Sequence, residues 1–415
     1  MLVSFSAKNY KSFYDEVTLD MRIEVDESNR EEIENNPFVY KINNDYISKL
    51  CILYGHNGSG KSNLLNAIKY LFAINIYDNN YENYTKEILS PNMIYGENED
   101  TEFSLQFYNY IYELYNYNLV LDNKNKKIKY ELLEKDNKII FERKYNSIYD
   151  GINFLKEKDG IPNNNTVLYY FNNVDVYKEY VKDYRLDFAI TYFCHIQNSI
   201  LNSFLIKIDN IYTDNVENKT WNLYKKLISL ADVGIDDIKV VENNNTKETD
   251  DILIDFINEK NKFKFISLHK NYEDEFIKIE SDGTKTYANN LYYILDSIKD
   301  GRLNILDEFN GVQSELLELI ISLFQKNMFE DLKKQTAQLI LSTHDTNLMS
   351  LKNTLLNHYW FLNKEDNKSE LYCAADFENL KKEYLEKEYK GNNLKAKYSS
   401  RLFEVPSKFF IDEEK

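Results

Sequence analysis

The chain has 415 residues, with 51 Lys and Arg against 68 Asp and Glu, a net charge of −17. At 43% hydrophobic and 29% charged, with only 11 Gly and 4 Pro, it reads as globular and not as disordered, collagen-like or linker-rich. The acidic balance disfavours sequence-blind nucleic-acid binding by the whole surface, since phosphate affinity comes mainly from clustered Lys and Arg, but leaves room for a local basic groove.

In chain order, Leu2–Phe5 and Val17–Leu19 carry short strand signals, followed by a polar stretch from Glu24 to Asn36. Lys8 and Lys11 occupy the place where a signal peptide needs an apolar run. Leu50–Tyr54, LCILY, is a continuous apolar run of the buried-strand kind. A glycine-rich segment follows it, and then Leu64, Leu65, Ile68, Leu71 and Phe72 at helical spacing. The stretch Leu64–Tyr77 is the most apolar long run, but Asn66, Lys69 and Asn75 interrupt it, so no membrane span is expected.

From Thr101 to Arg143 the alternation of Phe103, Leu105 and Phe107 and the runs after it predict an antiparallel meander. The loop Lys158–Thr166 marks a boundary, Asp175–Leu230 reads as helical, and Ala231–Val241 as strand. The last third alternates: helix Tyr287–Lys299, strand Leu303–Leu306, helix Ser314–Lys326, strands Gln338–Leu341 and Tyr359–Leu362, and a charged helix Asp376–Tyr389. The expected organisation is 1–145 as one lobe, 146–230 as a mainly helical insertion and 231–415 as a second lobe. Cys51, Cys194 and Cys373 are too scattered for a disulfide framework or a CxxC metal site, which with the N-terminus suggests a cytoplasmic protein.

Residues 55–62 fit G-x-x-x-x-G-K-[ST] between a strand and a helix. The glycines let backbone N–H groups curl around a phosphate, and the helix N-terminus adds its positive end. Lys61 would reach the β- and γ-phosphates, and the Ser62 hydroxyl would bind Mg²⁺. Strand Leu303–Leu306 delivers Asp307 and Glu308, one carboxylate to hold Mg²⁺ and one to orient or deprotonate the attacking water. His344 follows another apolar strand and can hydrogen-bond the γ-phosphate or that water. Ser281, Gly283 and Thr284 precede a helix, where an ordinary N-cap and an anion contact are both open readings.

These elements, in this order, resemble the ABC-type ATPase head, with SDGT standing where the signature sequence stands. FSAKNYKSF, ILYGHNGSGKSNLL, ADVGIDDI, IESDGTKTY, ILDEFN and LSTHDTNLM are similar to the bacterial AAA/ABC-like ATPases of phage-defence loci, the AbiLii and PARIS AriA kind. The resemblance implies an α/β P-loop NTPase head with a mixed sheet, an antiparallel β meander and a helical insertion. It implies ATP and Mg²⁺ as cofactors, with Gly55, Asn57, Gly58, Ser59, Gly60, Lys61, Ser62 and Asn63 at the nucleotide. Asn9, Lys11 and Ser12 match an N-terminal segment near the nucleotide in related heads. Glu308, His344 and Lys61 would be catalytic, and Ser62 and Asp307 would hold the metal. Ser281, Gly283 and Thr284 would act in trans within a homodimer or higher even oligomer. The implied function is a nucleotide-driven switch that senses phage infection through a phage-derived trigger and controls a separately encoded toxin or nuclease effector. The competing reading is a RecF-like DNA-binding repair or recombination ATPase. The roughly 220 residues between Lys61 and Ser281 hold no sustained heptads, which excludes long SMC-type coiled-coil arms.

Overall fold

The computed structural model describes residues 1–75, 92, 94–109, 111–151, 165–173, 219–231, 234–242, 263–299, 301–307, 313–325 and 336–394. Two compact units emerge: Met1–Ile196 with Gly301–Glu308 and Phe324–Lys415, and Gln197–Asp300 with Phe309–Leu323.

The first unit is built on two sheets. Its central sheet has the spatial order Leu303–Leu306, Gln338–Ser342, Leu50–Tyr54, Tyr359–Glu365, Lys368–Cys373. The first four strands run parallel, and three of them are buried at every residue, as parallel strands covered on both faces require. The last two form a hairpin whose turn residues, Asp366 and Asn367, both have positive φ (47° and 63°). Asx residues tolerate that conformation, which matches the twist of the flanking strands.

The second sheet is wholly antiparallel and seven-stranded, in the order Ser147–Gly151, Lys138–Lys144, Lys127–Lys135, Leu114–Asp122, Thr101–Tyr108, Leu2–Lys8, Val17–Asp20. Phe103, Leu105 and Phe107 are buried while Glu102, Ser104 and Gln106 are half-exposed, so the alternation in the sequence is the alternation of the two faces. Gln106 faces Ser4 across this sheet. One apolar cluster joins the meander to the helix Lys61–Ile74, through Leu64, Leu65, Ile68 and Leu71, and then to Cys51 and Leu53 of the central sheet. Each such fully buried aliphatic side chain stabilises the fold by about 1.5–3 kcal/mol. Gln338, fully buried, staples the sheets together: its Oε1 accepts from Leu2 N (2.6 Å) and its Nε2 donates to Leu2 O and Ser48 O (both 2.9 Å). A fully buried Glu131–Arg143 pair (3.4 Å) holds the helix Val167–Asn173: Glu131 accepts from Val167 N, and Arg143 donates to Asn165 O.

The second unit contains the antiparallel strands Asp237–Glu242, Phe263–His269 and Tyr272–Glu275. Its helices Lys219–Ala231 and Asp282–Lys299 pack together, with Tyr224 Oη donating to Ala288 O at 3.1 Å.

Several boundaries differ from the sequence expectation. Ala231 ends a helix, and the strand begins only at Asp237. The helix expected from Tyr287 starts at Asp282, because Ser281 caps it. The charged stretch Asp376–Tyr389 breaks into 3₁₀ turns and the short helix Leu385–Lys390, which buries only Leu385 and Tyr389 and has too small an apolar face to extend. The helix Arg30–Asn35 forms inside the stretch Glu24–Asn36 that had been read only as polar, and the hairpin Val39–Ile42/Asp45–Ser48 follows it where no element had been expected. Most of the expected insertion at 146–230 falls outside the described residues.

Candidate nucleotide site

The strand Leu50–Tyr54, paired in parallel on both sides, leaves the carboxyl edge of the central sheet at Gly55, the edge where open α/β sheets bind ligands. The loop that follows is fixed at its ends and open in its middle. A Cβ on Gly55 (φ 152°) would lie 2.5 Å from Leu362 O, and one on Gly60 (φ 112°) 2.7 Å from Ser369 Oγ and 3.1 Å from Ser12 Oγ. At Gly58 (φ 79°) a Cβ would meet nothing within 4 Å. Ser369 Oγ donates to Ser59 O (2.7 Å), and Asn63 Nδ2 donates to Ser12 Oγ (2.7 Å). The N-terminal segment and the hairpin strand Lys368–Cys373 thus brace the loop from outside.

Gly60 is the N-cap of the helix Lys61–Ile74, so the positive helix end faces the loop. Lys61, 3% exposed, donates from Nζ to Gly55 O at 2.8 Å and lies 3.0 Å from His344 Nε2. With Lys61 charged, Nε2 is the accepting atom of this contact. His344 is itself exposed. The strand Gln338–Ser342 separates the loop strand from Leu303–Leu306, and its Ser342 Oγ donates to Asp307 Oδ1 at 2.6 Å. Burial lowers the pKa of Lys69, on the loop helix, and the attraction of Asp307 partly offsets that shift.

These residues fit a magnesium nucleotide. Among the described residues no three His, Cys, Asp or Glu side chains gather into a metal nest. The Asp307 carboxylate and the Ser62 hydroxyl are hard oxygen donors, too few for an all-protein cage. They suit Mg²⁺, which keeps waters and takes phosphate oxygens as its remaining ligands.

The other expected residues are placed as follows. Asn9 (φ 51°) is fully buried; its Nδ2 donates to Gly96 O (2.8 Å) and Glu99 O (2.9 Å), and its Oδ1 accepts from Asn92 N (3.0 Å). Both amide hydrogens are thereby committed to holding the 92–100 segment. Lys11 (φ 50°) is half-buried beside the Tyr10 ring, and burial lowers its pKa. Asn57 is exposed, and His56 turns its Nδ1 to Asn57 O. Ser281 Oγ accepts from Thr284 N (3.1 Å) and lies 2.8 Å from Thr284 Oγ1, an N-cap of the helix Asp282–Lys299. Glu280, just before it, receives His269 Nε2 at 3.0 Å. Glu308 lies outside the described residues.

The bracing by Ser12 and Ser369, the Ser342 contact to Asp307 and the place of Lys69 go beyond the motif reading. Ser12 and Ser342 lay inside motif segments that the sequence had singled out, and Lys69 had been noted only as a break in an apolar run.

The family model described as "AAA domain, putative AbiEii toxin, Type IV TA system" matches residues 50–350, the span from the loop strand through His344. The chain belongs to that family. It is an AAA-domain P-loop protein, and its fold is of the expected α/β kind with a mixed sheet and an antiparallel meander. Among solved structures it is similar to an SMC head domain with a coiled coil and joint from Pyrococcus yayanosii (10% identity, 93% of this chain and 99% of that chain, TM-score 0.48). An SMC head bound to the C-winged helix domain of ScpA follows (12%, 89% and 96%, TM-score 0.47). The recombination mediator RecF-ATPrS of the RecFOR pathway is also similar (12%, 90% and 98%, TM-score 0.40). At these identities the likeness says nothing about activity. No curated protein matches the chain.

Proposed function

We propose that this AAA-family chain is an ATP-hydrolysing switch that dimerises through its heads and controls a separately encoded effector of the toxin or nuclease kind. The observation that carries the reading is the contact between Lys61 Nζ and His344 Nε2 (3.0 Å), one strand away from the Ser342-held carboxylate of Asp307. Lys61 binds and neutralises the phosphates, and His344 shares its hydrogen bond with Lys61 until a γ-phosphate or the attacking water takes it. Asp307 and Ser62 would hold Mg²⁺, which would supply charge neutralisation at the phosphates. Glu308 orients or deprotonates the water. Ser281, Gly283 and Thr284, at the start of the helix Asp282–Lys299, reach the γ-phosphate held by a second copy, and Lys11 stands as a further cation at the nucleotide. Asn9 contributes by fixing the segment beside it. The family's description supports a toxin–antitoxin setting, and within it we place the chain with phage-defence ATPases of the AbiLii or PARIS AriA kind, triggered by a phage component. The net charge of −17 favours this over a RecF-like DNA-binding role.

Native mass spectrometry of the Glu308→Gln protein, expressed with its genomic neighbours and with or without Mg-ATP, tests the reading. The expected result is an ATP-dependent even-numbered assembly carrying a neighbour-encoded protein. A bare monomer in both conditions would overturn it.

A further inference from the structure

Both sides of the Lys61–His344 contact are tied to the carboxyl end of the loop strand Leu50–Tyr54. On one side, Gly55 O accepts from Lys61 Nζ at 2.8 Å. On the other, Thr343–Asp345 connect the strand Gln338–Ser342 to the 3₁₀ turn Thr346–Ser350, and His344 is the middle residue of that connection. Its two neighbours are held by the two residues that precede Gly55. Thr343 N donates to Leu53 O at 3.1 Å, and Tyr54 Oη donates to Asp345 O at 2.9 Å. Tyr54 is well placed for this. It is fully buried, and its ring centroid lies 6.3, 6.0 and 5.6 Å from those of Tyr359, Phe361 and Tyr389. Burial pushes its hydroxyl well above the ordinary tyrosine range, so it stays a donor. Beyond Asp345 the chain is held as well: the Asp345 carboxylate accepts from Asn347 N (3.0 Å), and Thr346 Oγ1 donates to Glu386 (3.1 Å).

We infer that Tyr54 is a positioning residue for His344: its hydroxyl, through Asp345 O, holds the imidazole at Lys61 and so within reach of a phosphate bound there. The inference rests on the role proposed above for His344 at the γ-phosphate. A tie at Thr343 alone fixes where the chain leaves the strand but leaves the backbone dihedrals of His344 free to swing its ring. The second tie, at Asp345, removes that freedom before the nucleotide arrives. A misplacement of about 1 Å in such a group can cost about a hundredfold in rate. A hydroxyl that served only to satisfy the Asp345 carbonyl would affect stability and leave the turnover of the folded protein alone.

Tyr54→Phe keeps the ring and deletes the bond. At saturating ATP its turnover should fall about tenfold, with KM for ATP changed less than about twofold. In a His344→Ala background the same substitution should change the residual turnover less than about twofold, because no imidazole is left to position. Tyr359→Phe is the control: it deletes a like bond, from Tyr359 Oη to Leu348 O (2.8 Å), in the turn beyond His344, and should keep turnover near the parental rate. A second readout needs no nucleotide. The chain has five histidines, so His344→Ala assigns the His344 ring resonance by NMR, and that resonance should move in Tyr54→Phe and stay in place in Tyr359→Phe. An unmoved resonance, an equal loss of turnover in the parental and His344→Ala backgrounds, or a Tyr359→Phe protein as slow as Tyr54→Phe would overturn the inference. Normal turnover of Tyr54→Phe beside an impaired His344→Ala protein would overturn it alone, whereas normal turnover of His344→Ala would overturn the reading on which it rests.

Discussion

The proposed function assigns the loop Gly55–Gly60 and the turn Ser281–Thr284 to the same phosphates, and the two are held by different kinds of contact. The loop is shaped by distant chain: Ser369 holds Ser59 O across 310 residues, Ser12 receives Asn63, and Leu362 O closes in on Gly55. The turn carries a local cap, through Ser281 and Thr284 three residues apart, and the His269–Glu280 contact lies next to it. In the proposed switch, the braced loop would keep the nucleotide while the Ser281 turn of a second copy engages or releases it.

The strongest way to test this contrast is Lys61→Ala. It removes a side chain that links the loop to His344, and steady-state ATP turnover should fall about 10²–10³-fold, measured as released phosphate. A variant with normal turnover would remove the loop from the chemistry.

Acid distinguishes the two units next. Burial pushes the fully buried His358 down to about 3 from its ordinary 6.5, and its Nδ1 accepts from Leu355 N in the neutral form. Between those values the unfolded chain binds a proton that the folded chain refuses. Stability conferred by the neutral ring is therefore complete above pH 6.5 and is lost as pH falls toward 3, by up to about 1.4 kcal/mol per pH unit. Each unit carries one tryptophan, Trp360 in the first and Trp221 in the second. In an acid titration the Trp360 signal should be lost at the higher pH, and His358→Asn should bring that midpoint down.

Gly60→Ala acts on the loop alone. The residue combines φ 112° with a Cβ site 2.7 Å from Ser369 Oγ, so the variant should lose about 1–3 kcal/mol in chemical denaturation and bind nucleotide more weakly. Ser369→Ala in the same background should recover part of that loss by clearing the collision.

The smallest stability effect belongs to Ser281→Ala, which removes an N-cap worth about 1 kcal/mol. Its value lies in the second measurement. If Ser281 touches the second copy's nucleotide, turnover falls about tenfold or more while affinity for ATP in the isolated chain is unchanged; a pure cap would leave turnover at its parental rate.

What the sequence revealed follows the same divide between local and distant causes. The spacing of Gly55, Gly60, Lys61 and Ser62, the LCILY strand and the LNIL strand before Asp307 are determined by neighbours in the chain, and the structure has them where the pattern placed them. Ser369 and Gln338 were not legible as braces, because a lone polar residue in a strand gains that meaning only from partners hundreds of residues away. Asp136–Asn137 and Asp366–Asn367 are a different kind of omission. Both are two-residue turns with positive φ at each position, and an Asx pair between strand-like runs is a local signal that would have located the strand Lys368–Cys373.

The strand Leu50–Tyr54 has one further implication, for the order in which the molecule is made. It emerges early in synthesis, but its two neighbours are Gln338–Ser342 and Tyr359–Glu365, and 289 residues separate Leu50 from its partner Leu339. At about 5–20 residues per second, the ribosome leaves this apolar strand unpaired for roughly 15–60 s. During that interval the chain carries a glycine loop with no sheet behind it, and the Ser369 that shapes the loop has not yet been translated. ATP competence thus arrives late in translation, and a prematurely stopped chain would be an aggregation hazard in place of a half-active enzyme.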